Sequence, residues 1–352
     1  MDLVAGALRA AALQGKVVNK LYVRTAAKRR VDRRRSAFYE QLWSDAAAEL
    51  GGSVRPLRPP LLEIACGGVL LRVRDNVTSL DDPVTVAIAD DKPLVYRLLA
   101  DQGIPVPRHR LGRSDDLRGA LGFLRTAPGP CVVKPARTAA GGIGVTTGVL
   151  GWAGLSVALV RAGVFCDDAL VEEQVEGGVY RLLYLDGELL DAVVRRPPTV
   201  TGDGVSTVRR LVEAENRRRT DAGIEGGQSL VQLDWELRTT LRAAGLGLDA
   251  VPEAGRVVRL KGVVNDNRRD DNEAATIGPD LAALGARAAA AVGARLAGVD
   301  VITTDPSVPL AESGGVVIEV NATPGYYYHY LRRGAGTAVA ATILERLVAA
   351  AR

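Results

Sequence analysis

Val316-Val317-Ile318-Glu319-Val320-Asn321-Ala322-Thr323-Pro324-Gly325 is the stretch from which the fold is read. Its first residues are apolar and β-branched, and Pro324-Gly325 closes the run, so a buried strand is expected. Strand side chains alternate with period two, which places Glu319 and Asn321 on one face. Two oxygen-bearing groups aimed the same way at a strand end suit a hard cation such as Mg2+. Asp300 lies in a similar run, Ala297-Gly298-Val299-Asp300-Val301-Ile302, expected on the neighbouring strand. Taken alone, the three residues fit equally a hairpin whose polar groups are only edge and turn chemistry.

Composition narrows the choices. The 352 residues are 47% hydrophobic and 24% charged, which suits a globular chain of two or three compact units. Cys66, Cys131 and Cys166 are far apart and sit in apolar runs, so they read as buried thiols in a reducing compartment. Two histidines, His109 and His329, exclude a histidine-rich metal site. No apolar run of about 18 residues marks a membrane span, and the N-terminus lacks signal-peptide order. A cytoplasmic location is therefore expected. Lys28-Arg29-Arg30 and Arg33-Arg34-Arg35 form a basic cluster. Stacking aromatics are not interleaved with it, so a solvated helix face is favoured and nucleic acid is not an expected partner.

Along the chain, residues 1–87 read as a small N-terminal α/β region, with a helix from Ser36 to Leu50 and a hairpin around Gly67-Gly68. Asp90-Asp91-Lys92 precedes a helix over 93–102, with an acidic cap and Pro93 in the first turn. Cys131-Val132-Val133-Lys134-Pro135 is a strand ending on a lysine, and Thr138-Ala139-Ala140-Gly141-Gly142-Ile143-Gly144-Val145 follows. Glycine-rich backbone can approach a phosphate closely, and Lys134 adds a point charge. The run is neither a Walker A loop nor a Rossmann fingerprint, and such loops are often plain turns. Ala169 to Val175 is a strand with Glu172 and Glu173 at its exit. The runs 180–185 and 188–195, joined by Asp186-Gly187, form a hairpin. Arg195-Arg196 at its end suits a phosphate or carboxylate, or keeps an edge strand soluble. Helices are expected over 207–219, 281–296 and 338–350, with a strand over 257–261 and a charged helical insertion at about 205–250.

In this order the motifs resemble the ATP-grasp superfamily, most of all the ATP-grasp domain of cyanophycin synthetases. The matching stretches include Ala87 to Lys92, Gly103 to Pro107, Val132 to Pro135, Gly142 to Thr147, Tyr180 to Leu183, Gly202-Asp203-Gly204, Gly298 to Ile302 and Ile318 to Ala322. The resemblance implies an α+β (α/β) ATP-grasp fold in which two α+β lobes enclose ATP. Expected boundaries are 1–87, then 88–170 with the glycine-rich loop, then 171–352 with the metal site. It further implies an ADP-forming ligase in which a carboxylate becomes an acyl phosphate that an amine attacks. Lys92 and Lys134 would hold ATP phosphates, under the loop bearing Thr138, Gly141, Gly142 and Gly144. Glu172, with the backbone of Glu173 and Val175, would recognise adenine. Asp300, Glu319 and Asn321 would bind Mg2+, with Mn2+ as a substitute. Arg195 or Arg181 would stabilise charge at the reacting centre.

The expected substrates are amino acids or small peptides, and relatives of this kind are commonly dimers or tetramers, so a homo-oligomer is an open expectation. The chain departs from the family at Val179, where an acidic ribose ligand is usual, and across Asp266 to Asn272. The second, Mur-ligase-like half of cyanophycin synthetases has no counterpart in this sequence. Tyr326-Tyr327-Tyr328-His329-Tyr330 either borders the acceptor site or is aromatic packing. Two other functions fit less well: a small-molecule ATP-grasp kinase, and a nucleotide- or nucleic-acid-binding module without turnover.

Overall fold

The computed structural model describes residues 2–22, 26–137, 142–222, 230–264 and 269–352. In chain order, its strands begin with β1 (Ser53–Arg58), β2 (Leu61–Cys66), β3 (Val69–Arg74), β4 (His109–Arg113) and β5 (Cys131–Pro135). They continue with β6 (Thr146–Val149), β7 (Asp168–Glu173), β8 (Gly178–Leu185), β9 (Glu188–Arg195) and β10 (Thr199–Thr201). The last are β11 (Val257–Arg259), β12 (Asn272–Ala274), β13 (Leu296–Thr303) and β14 (Val316–Asn321). With the helices between them, these make an α+β chain. Among the described residues, no helix is long and apolar enough to cross a membrane.

Two compact units emerge, and each is discontinuous in sequence. One comprises Met1–Thr25, Pro107–Val175 and Arg196–Asp266; the other comprises Ala26–Val106, Glu176–Arg195 and Asn267–Arg352. The contiguous boundaries expected from the sequence do not coincide with this division. Strand pairing explains why: β8 pairs with β13, more than a hundred residues later, and draws its hairpin out of the segment that follows β7.

The first unit is built on a four-stranded antiparallel sheet of order β4-β7-β5-β6. Helix Gly151–Gly163 covers it, burying Leu155, Ala158, Leu159 and Ala162 against Val133 and Val171. A separate small core joins β10 and β11 to helices Val208–Asp221 and Trp235–Ala243 through Val208, Val212, Leu237, Leu241 and Leu260. Thr207 caps the first of these helices by accepting from the Arg210 N–H, as its sequence implies.

In the second unit a five-stranded sheet runs β12-β9-β8-β13-β14. Strand β8 buries both faces: Leu182 and Tyr184 enter one core with Val299 and Val320, while Leu183 and Leu185 enter another with Tyr326 and Leu344. Full burial of such a side chain is worth about 1.5–3 kcal/mol, so two-sided coverage fixes the strand's register. The β8–β9 hairpin turns on Asp186 (φ 49°) and Gly187 (φ 83°), the left-handed pair that an Asp-Gly turn requires. The helix expected over 281–296 instead spans Pro279–Val292. Gly293 adopts φ 81° and terminates it, which releases Leu296 to begin β13.

Candidate active site

The first unit holds a buried ion pair. Lys134 lies on β5 opposite Leu170, and Glu172 lies on β7 opposite Val132. The two are therefore diagonal neighbours on one face of the sheet. Lys134 Nζ sits 2.9 Å from Glu172 Oε2, and both side chains are at least nine-tenths buried. Glu173 points the other way and pairs with Arg108. The Glu173 backbone N–H already donates to the Arg108 carbonyl oxygen at 3.0 Å. Gly144 adopts φ 79°, and a Cβ there would come within 2.8 Å of Phe165 and Pro135, so this turn needs glycine. Gly142 likewise has positive φ, at 71°. Thr138 and Gly141 lie outside the described residues, as does the 265–268 part of the polar stretch.

The second unit holds a row of charges. Strand β13 pairs with both β8 and β14, and Asp300 stands directly opposite Arg181 on one side and Glu319 on the other. Antiparallel register therefore puts Arg181, Asp300 and Glu319 in line across three strands. Arg181 donates Nη2 to Asp300 Oδ2 at 2.7 Å and Nε to Asp300 Oδ1, a bidentate pair with both side chains buried. Burial is the largest influence on the Arg181 pKa and would lower it, but the charge and hydrogen bonds of Asp300, together with Tyr328 and Glu319, outweigh it and the net shift is upward. Gly298 leaves space for that guanidinium, since a Cβ there would come within 2.8 Å of Arg181 Nη1.

Glu319 is about a quarter exposed and lies 3.3 Å from Lys92 Nζ. Lys92 opens helix Lys92–Asp101, which Asp91 caps by accepting from the Leu94 N–H at 3.0 Å. The Tyr96 hydroxyl donates to the Ile318 carbonyl oxygen at 3.0 Å and so fastens this helix to β14. Asn321, two residues beyond Glu319, donates its amide to the Gly298 carbonyl oxygen at 3.2 Å. That bond sets the amide's orientation and presents its oxygen as the group able to accept from, or ligate, something else. Burial raises the Asp90 carboxyl pKa, with Lys92 opposing and Glu319 adding to the shift.

Among the described residues, no cluster of three or more His, Cys, Asp or Glu side chains could hold a metal. The set here is two carboxylates and an amide oxygen. This suits Mg2+, which is usually held by one or two carboxylates plus substrate phosphates rather than by an all-protein cage.

Arg195, buried at the end of β9, places its guanidinium 4.6 Å from the ring centroid of Tyr328. The aromatic run that follows β14 divides. Tyr326 and Tyr327 pack with Phe38, Tyr39 and Trp43 in the core, while Tyr328 and His329 meet charged groups. Their spacing does not separate them, because a short aromatic run carries no periodicity.

His329 is fully buried, with Nδ1 2.6 Å from Asp191 Oδ2 and Nε2 without a hydrogen-bond partner. Arg332 and the Thr337 hydroxyl also donate to Asp191. Burial pushes the imidazole pKa below its ordinary 6.5, although Asp191 pulls it upward. Burial also works against ionising Asp191, yet His329 and Arg332 hold its carboxyl below the usual range. A base whose folded pKa is depressed contributes stability above its unfolded pKa and loses it as pH falls toward the folded value. The melting temperature is therefore expected to fall as pH drops below about 6.5, and His329→Gln should flatten that slope in thermal melts across pH 5–8. An unchanged slope would remove His329 as its source.

No protein-family model matches the chain. Cyanophycin synthetase of Nostoc sp. (strain PCC 7120) is 31% identical over 298 residues, spanning 82% of this chain and 32% of that protein. The bifunctional glutathione biosynthesis protein GshAB of Streptococcus mutans is 32% identical over 282 residues, spanning 77% and 37%. The chain thus spans about a third of the length of the curated relatives it matches. The bifunctional glutathione synthetase of Pasteurella multocida shares the fold, with a TM-score of 0.55 at 22% identity over 88% of this chain and 44% of that one. Similarity in sequence to these two kinds of protein and in fold to a bifunctional glutathione synthetase agrees with the ordered motifs, and the chain belongs to the ATP-grasp superfamily.

Proposed function

We propose that the chain is an ATP-dependent, ADP-forming carboxylate–amine ligase that makes an amide or peptide bond through an acyl phosphate. The observation that carries this reading is the aligned row Arg181, Asp300 and Glu319, with Asn321 beside it. Such a row gives oxygen ligands for a cation and fixed positive charge at one place. A carboxylate attacking a γ-phosphoryl group must overcome like-charge repulsion, and cations and preorganised donors serve that need better than general bases. Two relatives named for cyanophycin and glutathione synthesis support the ligase class.

In this reading Lys92 and Lys134 hold ATP phosphates. Glu172 and the backbone of Glu173 and Val175 meet adenine, through the Glu173 carbonyl because its N–H is already donated. Asp300, Glu319 and Asn321 hold Mg2+ or Mn2+, which when bound neutralises phosphate charge. Arg181 is committed to Asp300, so Arg195 is the residue assigned to charge on the acyl phosphate. The substrates are amino acids or short peptides. Free thiols at Cys66, Cys131 and Cys166 support a reducing, cytoplasmic setting.

Phosphate release, screened over pairs of amino acids with ATP and Mg2+, tests the proposal. ADP and phosphate should appear only when a carboxylate and an amine are both present. A phosphorylated hydroxyl acceptor with no amide would instead make the protein a kinase.

A further inference from the structure

We propose that Tyr328 is a positioning residue for Arg195, holding its guanidinium for the reaction; the assignment rests on the ligase reading above. Arg181 on β8 pairs with Val193, and Arg195 on β9 pairs with Val179, so the two arginines are diagonal neighbours on one sheet face. Like charges so placed repel, and both are buried. The Tyr328 ring answers that problem. Its centroid lies 4.6 Å from the Arg195 guanidinium carbon and 5.4 Å from that of Arg181, where the negative ring face attracts a cation.

The ring is itself anchored. Tyr328 Oη accepts from Arg181 Nη1 at 2.6 Å, and Arg181 is held by both carboxylate oxygens of Asp300. A continuous chain of contacts therefore runs from Asp300 through Arg181 and Tyr328 to Arg195. Its geometric meaning is that the metal-ligand candidate and the arginine assigned to the acyl phosphate are registered against each other by one side chain. Tyr326 and Tyr327, bound into the core, fix the backbone from which Tyr328 projects. Donors aimed in advance at developing charge need no reorganisation at the moment of reaction. A guanidinium with the same charge but no ring beneath it would lose that advantage.

Hydroxylamine, which traps acyl phosphates as hydroxamates, serves as the nucleophile in the test, with the twenty amino acids and their dipeptides as the carboxylate pool. Tyr328→Leu is expected to lower kcat by about 5–30-fold, the range of a desolvated cation–π contact, with KM for ATP unchanged. Tyr328→Phe keeps the ring and loses only the bond to Arg181, so its loss should be smaller than that of the leucine variant. The double variant Tyr328→Leu/Arg195→Met should be no slower than Arg195→Met alone. Should the leucine variant not fold, Tyr328→Met fills the space without a π face and carries the same expectation. Active wild type with an unimpaired leucine or methionine variant, or with additive losses in the double variant, would overturn the role of Tyr328 alone. Wild type that forms no hydroxamate with any amino acid or dipeptide would overturn the ligase reading, and this role with it.

Discussion

Glu319→Gln is expected to abolish ATP turnover, lowering kcat by at least about 100–1,000-fold, the usual cost of losing one electrostatic group at a phosphoryl-transfer centre. The substitution keeps the side chain's shape and removes its charge. It deprives the proposed cation of one of two carboxylates and leaves Asp300, already committed to Arg181, as the other. Stability should fall much less than activity. Glu319 is about a quarter exposed, but its partner Lys92, 3.3 Å away, is only 9% exposed, so the lost pair should cost more than the ~1 kcal/mol of an exposed pair and less than the ~3–5 kcal/mol of a fully buried one. Phosphate-release kinetics and thermal melting, run on the same preparations, separate the two effects. A variant that melts like wild type and still turns over would remove Glu319 from the metal set.

Lys134→Met should show the opposite balance, with a large loss of stability beside the loss of nucleotide binding. Lys134 and Glu172 are paired at 2.9 Å with side chains only 7% and 6% exposed. Removing one partner of a buried pair strands the other charge, at a cost of about 3–5 kcal/mol. Adding Glu172→Gln to Lys134→Met removes the stranded carboxylate, so the double variant should recover much of that loss in urea denaturation. Nucleotide binding should not recover, because the charge proposed to meet phosphate is still missing. A double variant no more stable than Lys134→Met would show that the pair is not what holds this part of the first unit.

Much of this was legible in the amino-acid order. The strand 316–321 and its neighbour carrying Asp300 follow from β-branched runs with period two, and the pairing of Asp300 with Glu319 matches the expected adjacency. The Asp186-Gly187 hairpin and the Asp91 cap follow from local turn and cap chemistry. Registry across non-adjacent segments was not legible. Nothing in the spacing places Arg181 beside Asp300, because the pairing of β8 with β13 is decided by two-sided burial of both strands. The same holds for Lys134 and Glu172, which the sequence offered as separate nucleotide contacts and the fold brings together as partners.

Elements with weak periodicity were missed, among them β4 (His109–Arg113), β6 (Thr146–Val149) and helix Gly151–Gly163. The end of the alanine-rich helix was placed too late because alanine carries no stop signal, and only Gly293 provides one. Cys166 is half-buried rather than buried, unlike Cys66 and Cys131.

Transfer of 18O from a labelled carboxylate tests the central claim most directly. A carboxylate activated as an acyl phosphate must give one of its own oxygens to the phosphate released when the amine attacks. With the carboxylate and amine pair that supports turnover, mass spectrometry should find one 18O in each phosphate released, together with ADP and the amide. Unlabelled phosphate, or label retained wholly in the product, would contradict the acyl-phosphate route and with it the roles given to Asp300, Glu319 and Arg195.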